Sequence, residues 1–432
     1  VDYTAGCQNW CITQDRRGVM YFGNSQGLLE FDGKNWTTIK TLKNIVIHAL
    51  EVAPDGSILY GSYDEFGYLF PDSTGNLIFH DYNLQDNHFD DINNIFCTPF
   101  GIVYQGCYGL FIKKEKGYVV IPVKNDIITF SAFINDQLFI GLKNRGLCQI
   151  QDDSIITVPC GQFFKGNNIK AILPYHDSSL LICSSKINFT EYHFLSTNRP
   201  FIPASKFSKL SAYLGDGNIR CGIKTSDNLF VFGTNRNGIV IADSNGEIVK
   251  ELNQKMGLPT NIVMDIFSDQ HGNIWVSLDN GISMVEVNSP FTYLNQNLNV
   301  LSYGLSIMKK NTSNAETHPE YVLGTADGLY LSFGEKYNMS FEKSSIYLRF
   351  AFNLFQDDNK AYFTSQNSVY ELTDTSPTLI LTTESPSLSI RRMKYHPEYF
   401  MLGDKGIKFL KKENGKLKIK KVLQGYSKSC VC

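Results

Sequence analysis

The chain of 432 residues has no run of 18 apolar residues, so no segment reads as a membrane-spanning helix. It lacks an excess of either charge: 40 basic and 42 acidic residues are interspersed, giving a formal net charge of −2. Without a basic face, nucleic acid is not an expected direct partner. Charged residues make up only 19% of the chain. The motifs of common hydrolases and nucleotide enzymes are missing as well, with no His-Glu-x-x-His, no Gly-x-Ser-x-Gly elbow and no P-loop. No signal peptide precedes the first repeat, as would hold for a mature or trimmed form of an exported protein. Ten cysteines are scattered, mostly inside apolar patterns such as Leu147-Cys148-Gln149-Ile150. Only Cys7 with Cys11 and Cys430 with Cys432 lie close together, and no histidine pair follows at zinc-finger spacing. Strand alternation would put each close pair on one face. Buried free thiols are the expectation, with disulfides and metal as alternatives.

What is present is aromatic and repetitive. Tyr (23) and Phe (30) are abundant, which suits pleated, half-buried surfaces. The stretch 261–294 reads as an apolar strand, a polar turn, a second apolar strand ending in a small residue, a short loop and a third strand opened by Gly-Ile. Weaker copies fill the chain. Anchoring on the small residue gives Gly23, Gly61, Gly106, Gly141, Cys183, Gly233, Ser277, Gly324, Ser365 and Gly403, spaced by 35 to 50 residues. Short strands at this period, with no helices, predict an all-β fold of four-stranded β-propeller blades. The first seven repeats suffice for a seven-bladed β-propeller over residues 1–295. Residues 296–432 hold three blades of a second, incomplete propeller, because three blades cannot close a ring.

Turn residues recur at two places per repeat. Asp15-Arg16-Arg17-Gly18, Pro54-Asp55-Gly56, Asn135-Asp136 and Gln270-His271-Gly272 join the first two strands. Asp32-Gly33, Ser73-Thr74-Gly75, Glu115-Lys116-Gly117 and Ser244-Asn245-Gly246 lead into the outer strand. Their role is turn geometry. The loops between the second and third strands instead vary in chemistry, and in a propeller they all emerge on one face around the central channel. From these loops the candidate ligand-binding residues are Tyr63, Glu65, Tyr108, Asn144, Arg145, Asn235, Arg236 and Asn280. Such a ring offers aromatic stacking together with amide and guanidinium donors, which suits a polyhydroxylated or charged small molecule. No cofactor or metal is expected.

The phrases QNWCITQDRRGVMYFGNSQGLLEFDGKNW, GLPTNIVMDIFSDQHGNIWVSLDNGISMVEVNSPF and EYVLGTADGLYL resemble the regulator-propeller repeats of bacterial two-component sensors. They most resemble the sensor regions of Bacteroidetes hybrid two-component systems and related triple-tyrosine-motif regulators. In that family two seven-bladed propellers precede a triple-tyrosine domain, a membrane helix and a kinase or helix-turn-helix output. The resemblance implies a periplasmic sensor that binds an oligosaccharide fragment or other small nutrient and relays it to an output not in this chain. It also allows a homodimer through the full-length receptor, and contact with the membrane only through segments outside this chain. The chain departs from the family in carrying three blades, not seven, after about Asn295, and in lacking the later domains. The phrase Asn288-Ser289-Pro290-Phe291 resembles the junction between propellers, so ligand binding is expected to change the relation of the first propeller to the segment after Asn295.

Two other classes compete. A protein-interaction propeller scaffold would use exposed aromatics such as Phe66 and Tyr108 on one rim. A glycan-active enzyme would need two carboxylates meeting in space. Ser268-Asp269-Gln270-His271-Gly272-Asn273-Ile274-Trp275 is reminiscent of the Asp-box hairpin of sialidases, with its Asp one position early and only nine arginines in the chain. His176, His271 and His396 fall in turns, and Asp90-Asp91 reads as loop acids.

Overall fold

In a computed structural model, the described residues are 3, 5–41, 45–82, 88–186, 188–194, 196, 200–215, 218–287, 300, 302–309, 321–333, 340–344, 346, 348–357, 360–373, 375–386, 389–403, 406–413 and 416–423. They form ten antiparallel sheets, each a meander in which strands pair in chain order. The chain divides into two compact units, Val1–Pro290 with seven sheets and Phe291–Cys432 with three.

Blade 1 shows how the repeat folds. Its strands are Asn9–Gln14, Met20–Asn24, Gly27–Phe31 and Trp36–Ile39. The second strand is buried along its whole length, as are Ile58–Gly61, Phe230–Thr234 and Ile274–Leu278 in the same place. A strand covered on both faces must be apolar throughout, which is why these segments do not alternate. The tight turns have a common device. One carboxylate oxygen of Asp15, Asp72, Asp243 or Asp269 accepts backbone N–H groups two and four residues ahead, at 2.8–3.0 Å. This Asx geometry fixes the turn without help from the core.

The innermost strands of the seven blades begin at Asn9, Ala49, Asn94, Ile128, Ile169, Ile219 and Val263. Each packs on its neighbours in turn, and the strand at Asn9 packs on both Ala49–Val52 and Val263–Ser268, so the first unit closes into a ring. Closure is built from both backbone and side chains. Gly281 N–H donates to the Cys7 carbonyl at 2.7 Å, Ile12 N–H to Asp265 Oδ2 at 3.1 Å, and Gln270 N–H to Gln14 Oε1 at 2.9 Å. Ile12, Met20, Phe22 and Leu29 then pack against Trp275, with the Phe22 and Trp275 rings 5.7 Å apart.

The small residue at the end of the second strand has a steric cause. A Cβ on Gly23 would lie 2.4 Å from Cys11 Sγ and 2.5 Å from the Ile47 carbonyl of blade 2. On Gly324, in the second unit, it would lie 2.3 Å from the Ala351 carbonyl of the following blade. At these two blades the chain entering the next blade crosses directly over this position. The three sheets of the second unit repeat the pattern, with Gly304–Lys309 packed on Ala351–Asp357, and that strand on Ser389–Arg392.

Two expectations need correction. Helix is present: Ser208–Leu214 is α-helical and buries Leu210 and Leu214, alongside Phe207, in the core between blades 5 and 6. Cys7 and Cys11 do not share a face, because an extra residue, Trp10, bulges between Asn9 and Cys11 and breaks the alternation, leaving Cys7 exposed and Cys11 buried. The eight described cysteines are free, and burial pushes the Cys11 and Cys183 thiols well above their ordinary value. Cys430, Cys432 and the junction phrase 288–291 lie outside the described residues.

Candidate functional site

The bulge at Trp10 recurs. The first strand of blades 4, 5, 6 and 7 carries the same extra residue opposite the small-residue anchor, at Thr129, Lys170, Arg220 and Met264. His48 stands at the same place in blade 2, beside Ala49, which pairs with Gly61. A bulge re-aims a side chain out of the alternating pattern. Here it does so on the edge strands nearest the axis, at the channel mouth, where Thr129 is exposed, Trp10, Lys170 and Arg220 are half-buried and Met264 is buried.

The variable loops are stitched to the same place. The residue after the second strand donates its N–H to the carbonyl two residues before the bulge: Ser25 to Gln8, Lys143 to Ile127, Ser185 to Asn168, Asn235 to Asn218 and Asp279 to Ile262, at 2.9–3.2 Å. Loop and bulge thus form one surface in blades 1, 4, 5, 6 and 7. Asn235 is fixed to Asn218, and Arg236 stands exposed beside the bulge that carries Arg220. Asn280 is exposed between the tied Asp279 and the closing Gly281.

Tyr63 is 62% exposed and pairs its backbone with Asp91, whose carboxylate is 3.0 Å from His48 Nδ1. The His48 ring in turn meets the edge of Trp10 at 4.8 Å, and Trp10 Nε1 is buried with no hydrogen-bond partner among the described residues. Glu65 is half-buried and its carbonyl accepts Ser62 N–H at 2.8 Å. Tyr108 is 46% exposed on blade 3. Asn144 donates its backbone N–H to Asp126 at 2.9 Å, while Arg145 reaches away from the axis, donating to the Ile155 carbonyl on the outer strand of its own blade. The structure therefore brings Tyr63 and Arg236 beside channel-mouth groups and commits the Arg145 side chain elsewhere. Phe66 is 2% exposed and packs on Phe89, Tyr104 and Phe111, so it is a core residue and not a rim aromatic.

The sequence reading missed Trp10, His48, Lys170 and Arg220. The available signal was a polar or aromatic residue at a fixed distance before each second-strand anchor, hidden because the bulge shifts it out of strand alternation. Asp265, one residue past the bulge of blade 7, was missed too. Burial raises its carboxyl to about 6; hydrogen bonds from Ile266 and Ile12 and the Arg220 charge oppose this. The folded protein therefore keeps a proton between about pH 4 and 6 that the unfolded chain has released. The stabilisation is fully present below pH 4 and is lost as pH rises through 6, a change of about 2–3 kcal/mol. Asp265→Asn should flatten this limb in urea-midpoint measurements against pH; parallel curves for the two proteins would assign the titration elsewhere.

On the opposite face, between blades 1 and 7, an open groove of about 470 Å³ is lined by Phe31, Trp36, Asn273, Trp275 and Met284. Its polar groups are already engaged in the Asp269 turn. The reminiscence of a sialidase hairpin is thereby explained as turn structure. Among the described residues no His, Cys, Asp or Glu cluster could hold a metal ion, and no helix is long and apolar enough to cross a membrane.

No protein-family model and no curated protein matches the chain. Among solved structures it is similar to the extracellular domain of the putative hybrid two-component system BT3049 from B. thetaiotaomicron, at 15% identity and TM-score 0.55, over 97% of this chain and 65% of that one. The extracellular domain of the system BT4673 from the same organism aligns at 15% identity and TM-score 0.53, over 99% of this chain and 61% of that one. The WD40 β-propeller domain of Doa1 aligns at 10% identity and TM-score 0.51 over 66% of this chain. The fold is that of a β-propeller. The chain spans 61–65% of the length of the two extracellular domains it matches.

Proposed function

We propose that this chain is the extracytoplasmic ligand-sensing region of a two-component-type transcriptional regulator, and that it binds a small molecule at the channel mouth of its seven-bladed unit. The carrying observation is the bulge repeated in blades 1, 4, 5, 6 and 7, which takes one residue of the innermost strand out of alternation while the variable loop is tied beside it. A purely structural ring has no need of that device. The likeness to extracellular domains of two-component systems supports the sensor class. The mixture of exposed Tyr63, unpaired Trp10 Nε1 and several amides suits a glycan fragment, since aromatic faces stack on sugar rings and amides bond hydroxyls. A kinase or DNA-binding output, a periplasmic location and a receptor homodimer belong to the same reading and lie beyond this chain.

Thermal-shift and calorimetric screening against an oligosaccharide panel tests it, because a ligand selective for the native state raises the melting temperature by mass action. With a hit in hand, Tyr63→Ala and Arg236→Ala should each weaken binding about tenfold, or about 1.4 kcal/mol. Neither side chain supports the core, so stability should hold within about 0.5 kcal/mol. Full affinity in both variants would remove the site from this face. Product appearing on chromatography would replace the sensor with an enzyme. The scaffold alternative rests on the exposure of Tyr63 and Tyr108 on neighbouring blades, and would show as a bound protein partner with no response to any sugar.

A further inference from the structure

We propose that Lys170 and Arg220 form an anion-binding site in the channel mouth, taking a carboxylate or sulfate carried by the ligand. The inference rests on the channel-mouth reading above and names the chemistry of one end of the ligand. Both residues are the bulged residue of their blade, on the adjacent innermost strands Ile169–His176 and Ile219–Lys224. Those two strands pack directly against each other, and the Arg220 charge lies within electrostatic reach of the Lys170 ammonium.

Both are half-buried, and neither has a hydrogen bond or ion pair among the described residues. Several other cations of the chain, exposed or half-buried, are paired with carboxylates. Lys360 and Lys412 share Glu371, and Arg392 meets Asp357 at 2.5 Å. Two adjacent cations partly removed from water repel each other and lose hydration with nothing in return. Burial and then the Arg220 charge push the Lys170 ammonium below its ordinary range, as that arrangement requires. Asp265 lies within electrostatic reach of Arg220, but its oxygens accept the N–H groups of Ile12 and Ile266, and burial favours its neutral form. An incoming anion would relieve the repulsion and gain two charge-assisted donors, one of them a guanidinium fork that fits a carboxylate.

The test uses the full chain with glucuronate, inorganic sulfate and glucose as probes at constant ionic strength. Glucuronate or sulfate should raise the melting temperature, and the Lys170→Met/Arg220→Met double variant should bind either at least tenfold more weakly. Equal binding of sulfate and glucuronate assigns the site to the bare anion; stronger glucuronate binding assigns it to an acidic sugar. Arg220→Lys keeps the charge but loses the fork, so its affinity should fall between the parent and the double variant. A readout independent of ligand accompanies these. Lys170→Met removes an uncompensated charge, so the ligand-free protein should melt about 1–3 °C higher. The proposal is overturned if neither anion binds, if the double variant binds them unchanged, or if Lys170→Met melts lower than the parent. A glycan that binds through Tyr63 and Arg236 with unchanged affinity in the double variant overturns this proposal alone and leaves the sensor reading standing.

Discussion

Gly23→Val is expected to cost the seven-bladed unit about 3–5 kcal/mol, enough to unfold it partially at moderate temperature. The reason lies in what a side chain would meet. The Cys11 sulfur could swing aside, but the Ile47 carbonyl 2.5 Å from the ideal Cβ belongs to backbone that also donates Ile47 N–H to the Asn24 carbonyl. Making room means separating blade 2 from blade 1 at the point where they are joined. Gly141→Ala is the control: the nearest atom there is Phe130 Cβ at 3.3 Å, a side chain that can give by a few tenths of an ångström, and the cost should stay near 1 kcal/mol. The measurement is simple, since Trp10, Trp36 and Trp275 are the chain's three tryptophans and all lie in the first unit. Urea unfolding followed by tryptophan fluorescence therefore reports that unit. A cost for Gly23→Val no greater than for Gly141→Ala would mean the anchor is not a steric contact between blades.

The same contact explains why the fold could be read from the chain. A close approach at Gly23, Gly61, Gly233 and Gly324 leaves no room for a side chain, and the fully covered second strand before it must be apolar. Both leave marks in sequence at fixed spacing. The Asp-based turns leave a third, because only certain residues accept backbone N–H groups two and four ahead. Where the anchor is Cys183 or Ser277, the register of the sheet matches that of the glycine blades, so a small side chain is tolerated there.

The site was less legible, for a reason particular to its construction. Tyr63 and Arg236 were legible as candidates because a loop between two strong strands is conspicuous. Lys170 and Arg220 were not, since each sits inside a segment that reads as an ordinary strand, and only the pairing of Ile169 with Ser184 and Ala171 with Cys183 shows that Lys170 has been pushed out. Arg145 illustrates the opposite error of reading. Its loop position is as expected, but a long side chain can leave its loop, and this one follows the outer strand to the Ile155 carbonyl. The helix Ser208–Leu214 was hidden in the connection between blades 5 and 6, where it fills a local gap with Leu210 and Leu214 and has no counterpart in the repeat.

Asp269→Ala should be the second most damaging change, costing about 2–4 kcal/mol. Its carboxylate accepts four hydrogen bonds, from His271 N, Asn273 N, Asn273 Nδ2 and Trp275 Nε1, each at 2.9 Å. Three of these donors would find water after truncation. The indole N–H would not, because Trp275 is 7% exposed and wedged against Phe22 in the seam that closes the ring. An unsatisfied buried donor at the closure point is what separates this turn from the exposed Asp72 hairpin. Asp72 makes the same backbone bonds in an exposed hairpin, and Asp72→Ala should cost clearly less than Asp269→Ala. Acidity gives a second check. Burial acts to raise the Asp269 carboxyl, but the four donors outweigh it and hold the group below its ordinary value. Its stabilisation is therefore complete above the ordinary carboxylate range and is lost as pH falls through the lowered value. The Ala variant should lose this acid limb and show red-shifted tryptophan emission at neutral pH. Equal costs at positions 72 and 269 would mean that the indole bond contributes nothing and that the seam is held by ring packing alone.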